Sequence, residues 1–207
     1  MEMVQKTRQA RGFFTASDGV EISYTDVGEG VPFLWIHGWG GDAETQRPIL
    51  ELLSRFGFRC LCYDQRCCGR SAFTDNLGVP QSARDALELL EQLEIDDAVV
   101  LGYSMGAAVL FSYLEQFGTA RISRLIVGDM SPKPINDEEW KLGIYQGWYT
   151  QTQFERDLYN MDHHYEAFSA FFAEQTMFPH TPDERRDFDE SGEFALRARE
   201  RARAAGK

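Results

Sequence analysis

One serine in this sequence has the surroundings of a catalytic nucleophile. Residues 102–106 read Gly-Tyr-Ser-Met-Gly, which places Ser104 between Gly102 and Gly106, after a short apolar run and before a longer helix-like run. In a nucleophile elbow, a sharp strained turn between strand and helix holds the serine Oγ clear of the sheet, and the glycines avoid collisions there. The pattern predicts Ser104 as a nucleophile. The alternative is a small residue needed only for packing at a tight turn.

A second turn could supply hydrogen-bond donors to the same point. The stretch FLWIHGWGG places His37, Gly38 and Trp39 directly after another apolar, strand-like run. We expect the backbone N–H groups of Trp39 and Met105 to form an oxyanion hole, since two converging donors stabilise a tetrahedral intermediate by a few kcal/mol each. In this interpretation His37 is structural and is not the catalytic base.

The elements that must position these residues follow from hydrophobic periodicity. Residues 31–130 alternate short apolar runs with amphipathic ones and predict strand, helix, strand, helix, strand, helix, strand, after strand-like pieces between residues 11 and 36. This order predicts an α/β fold: a three-layer αβα sandwich around a mostly parallel, doubly wound sheet with an antiparallel start. Within it, Gly57 is predicted to end the first helix, whose apolar positions run from Ile49 to Phe56, and Ser82 to cap the second.

The character of the chain changes after residue 134. Residues 135–207 show no further strand-like run, only helical, aromatic-rich and then charged segments. We therefore predict two parts, a core over residues 1–134 and a helical cap or lid with a charged tail over residues 135–207. The aromatic side chains of the second part either pack ordinary helices against the sheet or form the apolar wall of a pocket.

Charge and composition exclude several function classes. Asp and Glu outnumber Lys and Arg by 33 to 21, and the formal net charge of −12 repels both nucleic acid and anionic lipid surfaces. No apolar run approaches the roughly 20 residues that cross a bilayer, and the N-terminus lacks a secretory pattern. We expect a cytoplasmic protein with a small-molecule substrate, no nucleic-acid or membrane partner, and an oligomeric state that the sequence leaves open.

The cysteines do not form a metal-binding or disulfide pattern. All four lie within nine positions, at Cys60, Cys62, Cys67 and Cys68. This spacing differs from a zinc ribbon and from a secreted disulfide framework. We expect reduced thiols on a buried strand and the turn after it, with redox sensing by Cys67 and Cys68 as the alternative.

Three motifs in order give the chain a resemblance to a known family. HGWGG, then YDQRCCGRS, then GYSMG make it similar to the α/β-hydrolase superfamily, in particular its serine esterase and lipase-like members. The middle motif of that family usually reads Asp, any residue, Arg, Gly, a variable residue, Gly, any residue, Ser. The matching positions here are Asp64, Arg66, Gly69 and Ser71, while Cys67 stands where glycine is common.

The resemblance also bears on chemistry. It implies serine chemistry without a cofactor or metal, and the serine at position 104 argues against the dehalogenases and epoxide hydrolases of the superfamily, which carry a carboxylate there. It further implies a triad in the chain order serine, acid, histidine. Asp129, after the last predicted strand, is either the acid or an ordinary turn residue.

The histidine of such a triad has no family-like position in this sequence. After Ser104 come only His163 and His164, in a predicted lid helix, and His180, in a loop before a proline. A serine hydroxyl needs an adjacent base to act at neutral pH. We therefore expect that the sequence lacks the C-terminal strands of the family and that the histidine lies beyond Lys207.

Three functions are compatible with these residues. The first is hydrolysis of a carboxylic ester, thioester or lactone of a small, largely apolar substrate through Ser104. The second is hydrolysis of a C–C bond on the same scaffold. The third is a catalytically inactive binding protein that kept the elbow, for which a missing sheet edge would expose apolar surface for a partner to cover.

Overall fold

The computed structural model describes residues 9–176, which fall into two compact units that divide between Asp129 and Met130. The first unit contains a six-stranded sheet and three helices. In chain order its elements are β1 (Gln9–Thr15), β2 (Glu21–Val27), β3 (Val31–Ile36), α1 (Arg47–Ser54), β4 (Phe58–Tyr63), α2 (Val79–Gln92), β5 (Ala98–Tyr103), α3 (Met105–Phe117) and β6 (Ile122–Gly128).

The sheet is mixed, with a parallel half and an antiparallel half. Its strand order is β1-β2-β4-β3-β5-β6. The pairs β1/β2 and β2/β4 are antiparallel, and β4/β3, β3/β5 and β5/β6 are parallel. The predicted doubly wound sheet with an antiparallel start is therefore confirmed. The C-terminal ends of β3, β4 and β5 lie side by side at one edge, where such sheets bind ligands.

Helices cover both faces of the sheet, which explains the apolar central strands. On one face, Leu34 and Val100 pack in a fully buried cluster with residues of α2 and α3, while on the other Phe33 and Val99 pack with Leu50 of α1. Strands buried on both faces have near-continuous apolar sequences instead of alternating ones. Each such buried side chain contributes about 1.5–3 kcal/mol, so these layers hold the strand ends in place.

Two predicted helix boundaries are wrong. Ser82 does not cap α2 but lies buried inside it; the helix begins at Val79 after Gly78, whose φ is +123°, because Pro80 is preorganised for a first turn. The first helix ends at Ser54, so that Phe56 lies beyond it and is 72% exposed. Gly57, with φ +85°, follows two residues after the C-cap.

Strand β6 forms one edge of the sheet as far as the described residues go. Its apolar side chains Leu125, Ile126 and Val127 are 44%, 44% and 38% exposed. Because neighbouring residues of a strand point to opposite faces, both faces of β6 leave apolar surface accessible at this edge.

The second unit is helical in its described part, residues 130–176. A 3₁₀ turn at Tyr145–Gly147 is followed by α4 (Gln151–His163) and α5 (Tyr165–Thr176). The loop before them is organised by buried Asn136, whose Oδ1 accepts the N–H of Gly143 at 2.8 Å and whose Nδ2 donates to the Tyr149 carbonyl at 2.9 Å. The division of the chain at residue 134 into core and cap stays a prediction.

None of the helices within residues 9–176 has the length and apolar character that a membrane-spanning helix requires.

Candidate active site

Ser104 lies at a strained turn between β5 and α3. Its φ of +52° and ψ of −121° fall outside the regions that non-glycine residues favour. The backbone N–H of Ser104 donates to the Gly128 carbonyl of β6 at 2.8 Å, and its carbonyl accepts the N–H of Ala107 at 2.8 Å. The residue is half-buried. The strand, turn and helix around Ser104 therefore have the predicted nucleophile-elbow form.

The two flanking glycines are required by space. A Cβ at Gly106 would lie 2.1 Å from the Ile36 carbonyl oxygen of β3, and one at Gly102 would lie 2.5 Å from the Gly106 carbonyl oxygen. Both neighbours are backbone atoms, so neither can move without shifting a strand or a helix. The G-x-S-x-G spacing thus lets α3 begin in contact with the ends of β3 and β5.

The turn after β3 lies beside Ser104. A Cβ at Gly38 would be 3.1 Å from the Ser104 Cβ and 3.2 Å from the Tyr103 carbonyl oxygen. Trp39 follows in a turn closed by the Gly41 N–H, which donates to the Gly38 carbonyl at 3.2 Å. Met105 is the first residue of α3, where backbone N–H groups have no partner within the helix. The structure brings the Trp39 turn and Met105 to the same strand ends, and their assignment as oxyanion donors stays a prediction.

His37 is built into the fold as a neutral histidine. Its side chain is fully buried; Nδ1–H donates to the Gly38 carbonyl at 2.8 Å, and Nε2 accepts the Gln65 N–H at 3.0 Å. Burial is the main cause that lowers the pKa of His37 below its usual value of 6.5. With both ring nitrogens engaged, His37 has the structural role that the sequence predicts for it.

The middle motif forms the turn after β4 and supports the His37 turn. The Asp64 carboxylate accepts the N–H of Ala43 at 2.7 Å and the N–H of Arg70 at 2.9 Å. A Cβ at Gly69 would lie 2.3 Å from the Asp64 carboxyl carbon, so this glycine is required for close approach. Cys67 has φ +62°, which explains why glycine is common there in the family it resembles.

A buried ion-pair network, which sequence reasoning missed, anchors this turn to α2. The Arg66 guanidinium donates to both carboxylate oxygens of Asp85 at 2.7 Å and to both of Asp18 at 2.6 and 2.9 Å. The side chains of Arg66 and Asp85 are 1% and 0% exposed. The hydrogen bond from Arg66 holds the pKa of Asp18 well below its usual range. Asp18 and Asp85 are 48 and 19 positions from Arg66, and no local pattern reveals such pairs.

The cysteines are free thiols, and three of the four are held protonated by burial. Burial raises the pKa of Cys60 and of Cys68 to about 12 and that of Cys62 well above its usual value. The thiolate is the reactive form, so burial disfavours reaction at these three thiols. The Cys67 Sγ contacts the N and O atoms of Thr74 at 3.5 Å.

Asp129 and the histidines that follow Ser104 lie in different parts of the chain. Asp129 is exposed, has φ +52°, and follows Gly128, whose carbonyl accepts the Ser104 N–H, so it adjoins the elbow. His163 and His164 lie at the C-terminal end of α4 in the second unit, and both are exposed. His163 Nδ1 donates to the Tyr159 carbonyl at 2.9 Å. His180 lies outside the described residues.

Comparison with known proteins places these features in a family. The model of the alpha/beta hydrolase fold family matches residues 31–200, and the chain belongs to this family. A non-heme haloperoxidase of Rhodococcus erythropolis is 31% identical over 134 residues, which are 64% of this chain and 49% of that protein. A non-heme chloroperoxidase of Kitasatospora aureofaciens is 32% identical over 132 residues, covering 63% and 48% of the two chains. This chain spans about half the length of these curated relatives.

Solved structures show the same fold. An esterase from Exiguobacterium antarcticum superposes with a TM-score of 0.78 at 22% identity, over 89% of this chain and 67% of that one. A bromoperoxidase from Bacillus anthracis gives a TM-score of 0.74 at 23% identity, over 91% and 68%. These likenesses show the α/β-hydrolase fold, and they leave the substrate open.

Proposed function

We propose that this protein is a serine hydrolase that cleaves a carboxylic ester, thioester or lactone. The observation that carries the proposal is the strained backbone of Ser104, at the start of α3 and beside the turn that holds Trp39. Strain at a non-glycine residue costs about 1–3 kcal/mol and is concentrated at functional sites. A helix N-terminus directs its N–H groups toward negative charge that develops near the serine.

The proposed reaction has two steps, acylation of Ser104 and hydrolysis of the acyl-serine. The Ser104 Oγ attacks the substrate carbonyl carbon and its proton passes to a histidine, while the N–H groups of Trp39 and Met105 hold the oxyanion. The intermediate collapses to an acyl-serine as the histidine returns the proton to the leaving alcohol, thiol or lactone oxygen. A water molecule then hydrolyses the acyl-serine through the reverse proton path and regenerates the Ser104 hydroxyl.

The proposed catalytic histidine is a residue other than His37. His37 is excluded as the base because its Nε2 accepts the Gln65 N–H and its Nδ1–H donates to Gly38. We propose Asp129 as a candidate for the acid, because it directly follows Gly128, whose carbonyl accepts the Ser104 N–H; an ordinary turn residue is the alternative.

The substrate is proposed to be small and largely apolar. Pockets for small ligands gain most of their affinity by burying apolar surface, which favours an apolar acyl group. The match to the alpha/beta hydrolase fold family supports hydrolase chemistry at the level of the family.

The test is covalent labelling of Ser104 together with ester hydrolysis. The full-length protein is treated with a fluorophosphonate, and the labelled residue is identified by mass spectrometry; hydrolysis of p-nitrophenyl butyrate is measured in parallel. We expect the label on Ser104, and Ser104→Ala should lose labelling and at least about four orders of magnitude in kcat.

Ser169→Ala, a serine of α5, is the matched control and should behave as the unchanged protein. Labelling elsewhere than at Ser104 would contradict the proposed nucleophile. A well-folded protein that binds an ester analogue without labelling would instead be the inactive binding protein.

A further inference from the structure

Gln65 contacts the turn beside Ser104 in two ways, and the proposed mechanism does not use it. It follows β4 and is 3% exposed. Its backbone N–H donates to His37 Nε2 at 3.0 Å, and its side-chain Nε2 donates to the His37 carbonyl at 2.7 Å. Gln65 thus binds both the ring and the backbone carbonyl of His37, which lies 28 positions earlier in the chain.

These contacts continue the sheet beyond its last paired residues. The register of β3 and β4 pairs Trp35 with Cys62, and the strands end at Ile36 and Tyr63. Past that point β3 and β4 no longer pair. The Gln65 side-chain amide donates to the His37 carbonyl in place of a backbone hydrogen bond between the strands. A buried carbonyl without a partner would cost about 1–3 kcal/mol, so this bond fixes where the His37 carbonyl points.

The His37 carbonyl also faces the helix that carries the nucleophile. Its oxygen lies 2.8 Å from the position that a Cβ of Gly106 would occupy. It is therefore held between the Gln65 amide on one side and the first turn of α3 on the other. The next residue, Gly38, is the one whose Cβ position lies 3.1 Å from the Ser104 Cβ. A rotation of the His37–Gly38 peptide would move the backbone that leads into Trp39.

The far end of the same turn is anchored by the preceding residue. The Asp64 carboxylate accepts the Ala43 N–H at 2.7 Å, and Asp64 is 3% exposed. Consecutive residues of one loop thus hold residues 37 and 43, and the turn between them carries Trp39. The Arg66 ion pairs fix that loop in turn to α2.

We infer that Gln65 is a positioning residue, which orients the His37–Gly41 turn against Ser104 through its side-chain amide. The inference rests on the proposed function for its catalytic consequence, because the turn supplies the Trp39 N–H of the proposed oxyanion hole. Gln65 acts through His37 and Gly38 and does not touch the reacting atoms. Its loss should lower the rate of the chemical step more than substrate binding, since oxyanion contacts strengthen in the transition state.

Two variants of the full-length protein test this inference. Gln65→Leu removes the amide at similar size, and Gln65→Glu keeps the shape but replaces the donor with an oxygen that faces the His37 carbonyl. For p-nitrophenyl butyrate we expect kcat to fall about 10- to 100-fold in both, with KM within about twofold, as for a small displacement of a catalytic donor. Gln92→Leu is the matched control, because the Gln92 amide also donates to a backbone carbonyl, that of Thr15 at 2.9 Å, at the surface.

Hydrogen exchange provides a readout that does not depend on activity. In both Gln65 variants, peptides that cover residues 37–43 should exchange faster, while those of β1 and β5 remain as protected as in the unsubstituted protein. Unchanged kcat together with unchanged exchange at 37–43 would overturn the inference, as would faster exchange throughout the first unit. If the unsubstituted protein shows no Ser104 labelling, the proposed function fails, and faster exchange confined to residues 37–43 still supports the positioning role.

Discussion

Replacing Gly106 with alanine tests the packing of the nucleophile elbow directly. The new Cβ would lie 2.1 Å from the Ile36 carbonyl oxygen, 2.7 Å from the Ile36 carbonyl carbon and 2.8 Å from the His37 carbonyl oxygen. Ordinary contact begins at 3.4 Å, so the start of α3 and the end of β3 must separate by 3.4 − 2.1 = 1.3 Å. All three atoms belong to backbone, and no side-chain rotation relieves the contact.

The expected cost follows from two opposed effects. Alanine is favoured over glycine within a helix by about 1 kcal/mol, which would stabilise the variant if space allowed. Overpacking against fixed atoms costs about 1–3 kcal/mol, and the backbone neighbours place Gly106→Ala at the upper end of this range. The free energy of unfolding should therefore fall by about 2 kcal/mol, which for a chain of this length lowers the Tm by about 4–8 °C.

The assay is urea and thermal unfolding of Gly106→Ala beside Gly41→Ala. A Cβ at Gly41 would have its nearest neighbours at 3.3 and 3.4 Å, so this control should stay within about 0.5 kcal/mol of the unsubstituted protein. Fluorophosphonate labelling should slow in Gly106→Ala, because the new Cβ displaces the helix that begins after Ser104. If Gly106→Ala unfolds at the same urea concentration as the unsubstituted protein, or at a higher one, the packing described at this elbow is wrong.

Three further predictions concern strain, buried charge and pH. The free energy of unfolding of Ser104→Gly, measured in urea, should exceed that of Ser104→Ala by about 1 kcal/mol, because glycine adopts φ +52° without a Cβ contact. Equal stability would mean that the turn is unstrained. Arg66→Met should lower the free energy of unfolding by about 3–5 kcal/mol, because it leaves the buried Asp85 carboxylate unpaired, and adding Asp85→Leu should restore a large part in the same urea titration. Burial lowers the pKa of His37 in the folded state, so its contribution to stability is complete above pH 6.5 and is lost as the pH falls toward the lowered value, by up to about 1.4 kcal/mol per pH unit. Urea unfolding of the unsubstituted protein and of His37→Asn between about pH 7 and pH 5 measures this, and parallel pH profiles would contradict it.

The strands and helices could be predicted from the sequence, because their apolar residues recur at regular, short intervals. The apolar runs of β3, β4 and β5 and the amphipathic helices between them repeat over a few residues, so the order of elements and the parallel sheet were accessible. The Gly-x-Ser-x-Gly spacing was equally local, because Gly102 and Gly106 contact atoms of the same turn and of the adjacent strand. Local packing rules therefore predict the tight strand–helix turn at Ser104, and its role as the nucleophile stays a proposal.

The contacts that hold the site together could not be predicted in this way. The pairs Gln65–His37 and Arg66–Asp18 join residues 28 and 48 positions apart, and which side chains meet depends on strand order and register. The wrong helix cap shows a related limit. Ser82 has a good capping side chain, yet Pro80 sets the backbone angle of the first turn and moves the helix start ahead of the serine.

The backbone of Ser104 also bears on the two interpretations of the elbow. If position 104 served packing alone, glycine would suit it best, because glycines already occupy positions 102 and 106 and because φ +52° disfavours any Cβ. A serine there accepts a cost of about 1 kcal/mol or more that glycine would avoid, and that cost persists because the Gly128 and Ala107 hydrogen bonds fix the turn. What serine adds over glycine is a Cβ and a hydroxyl, and the Cβ is the source of the strain. The hydroxyl is the group that serine adds apart from this strain, which supports the proposed nucleophile over a packing turn.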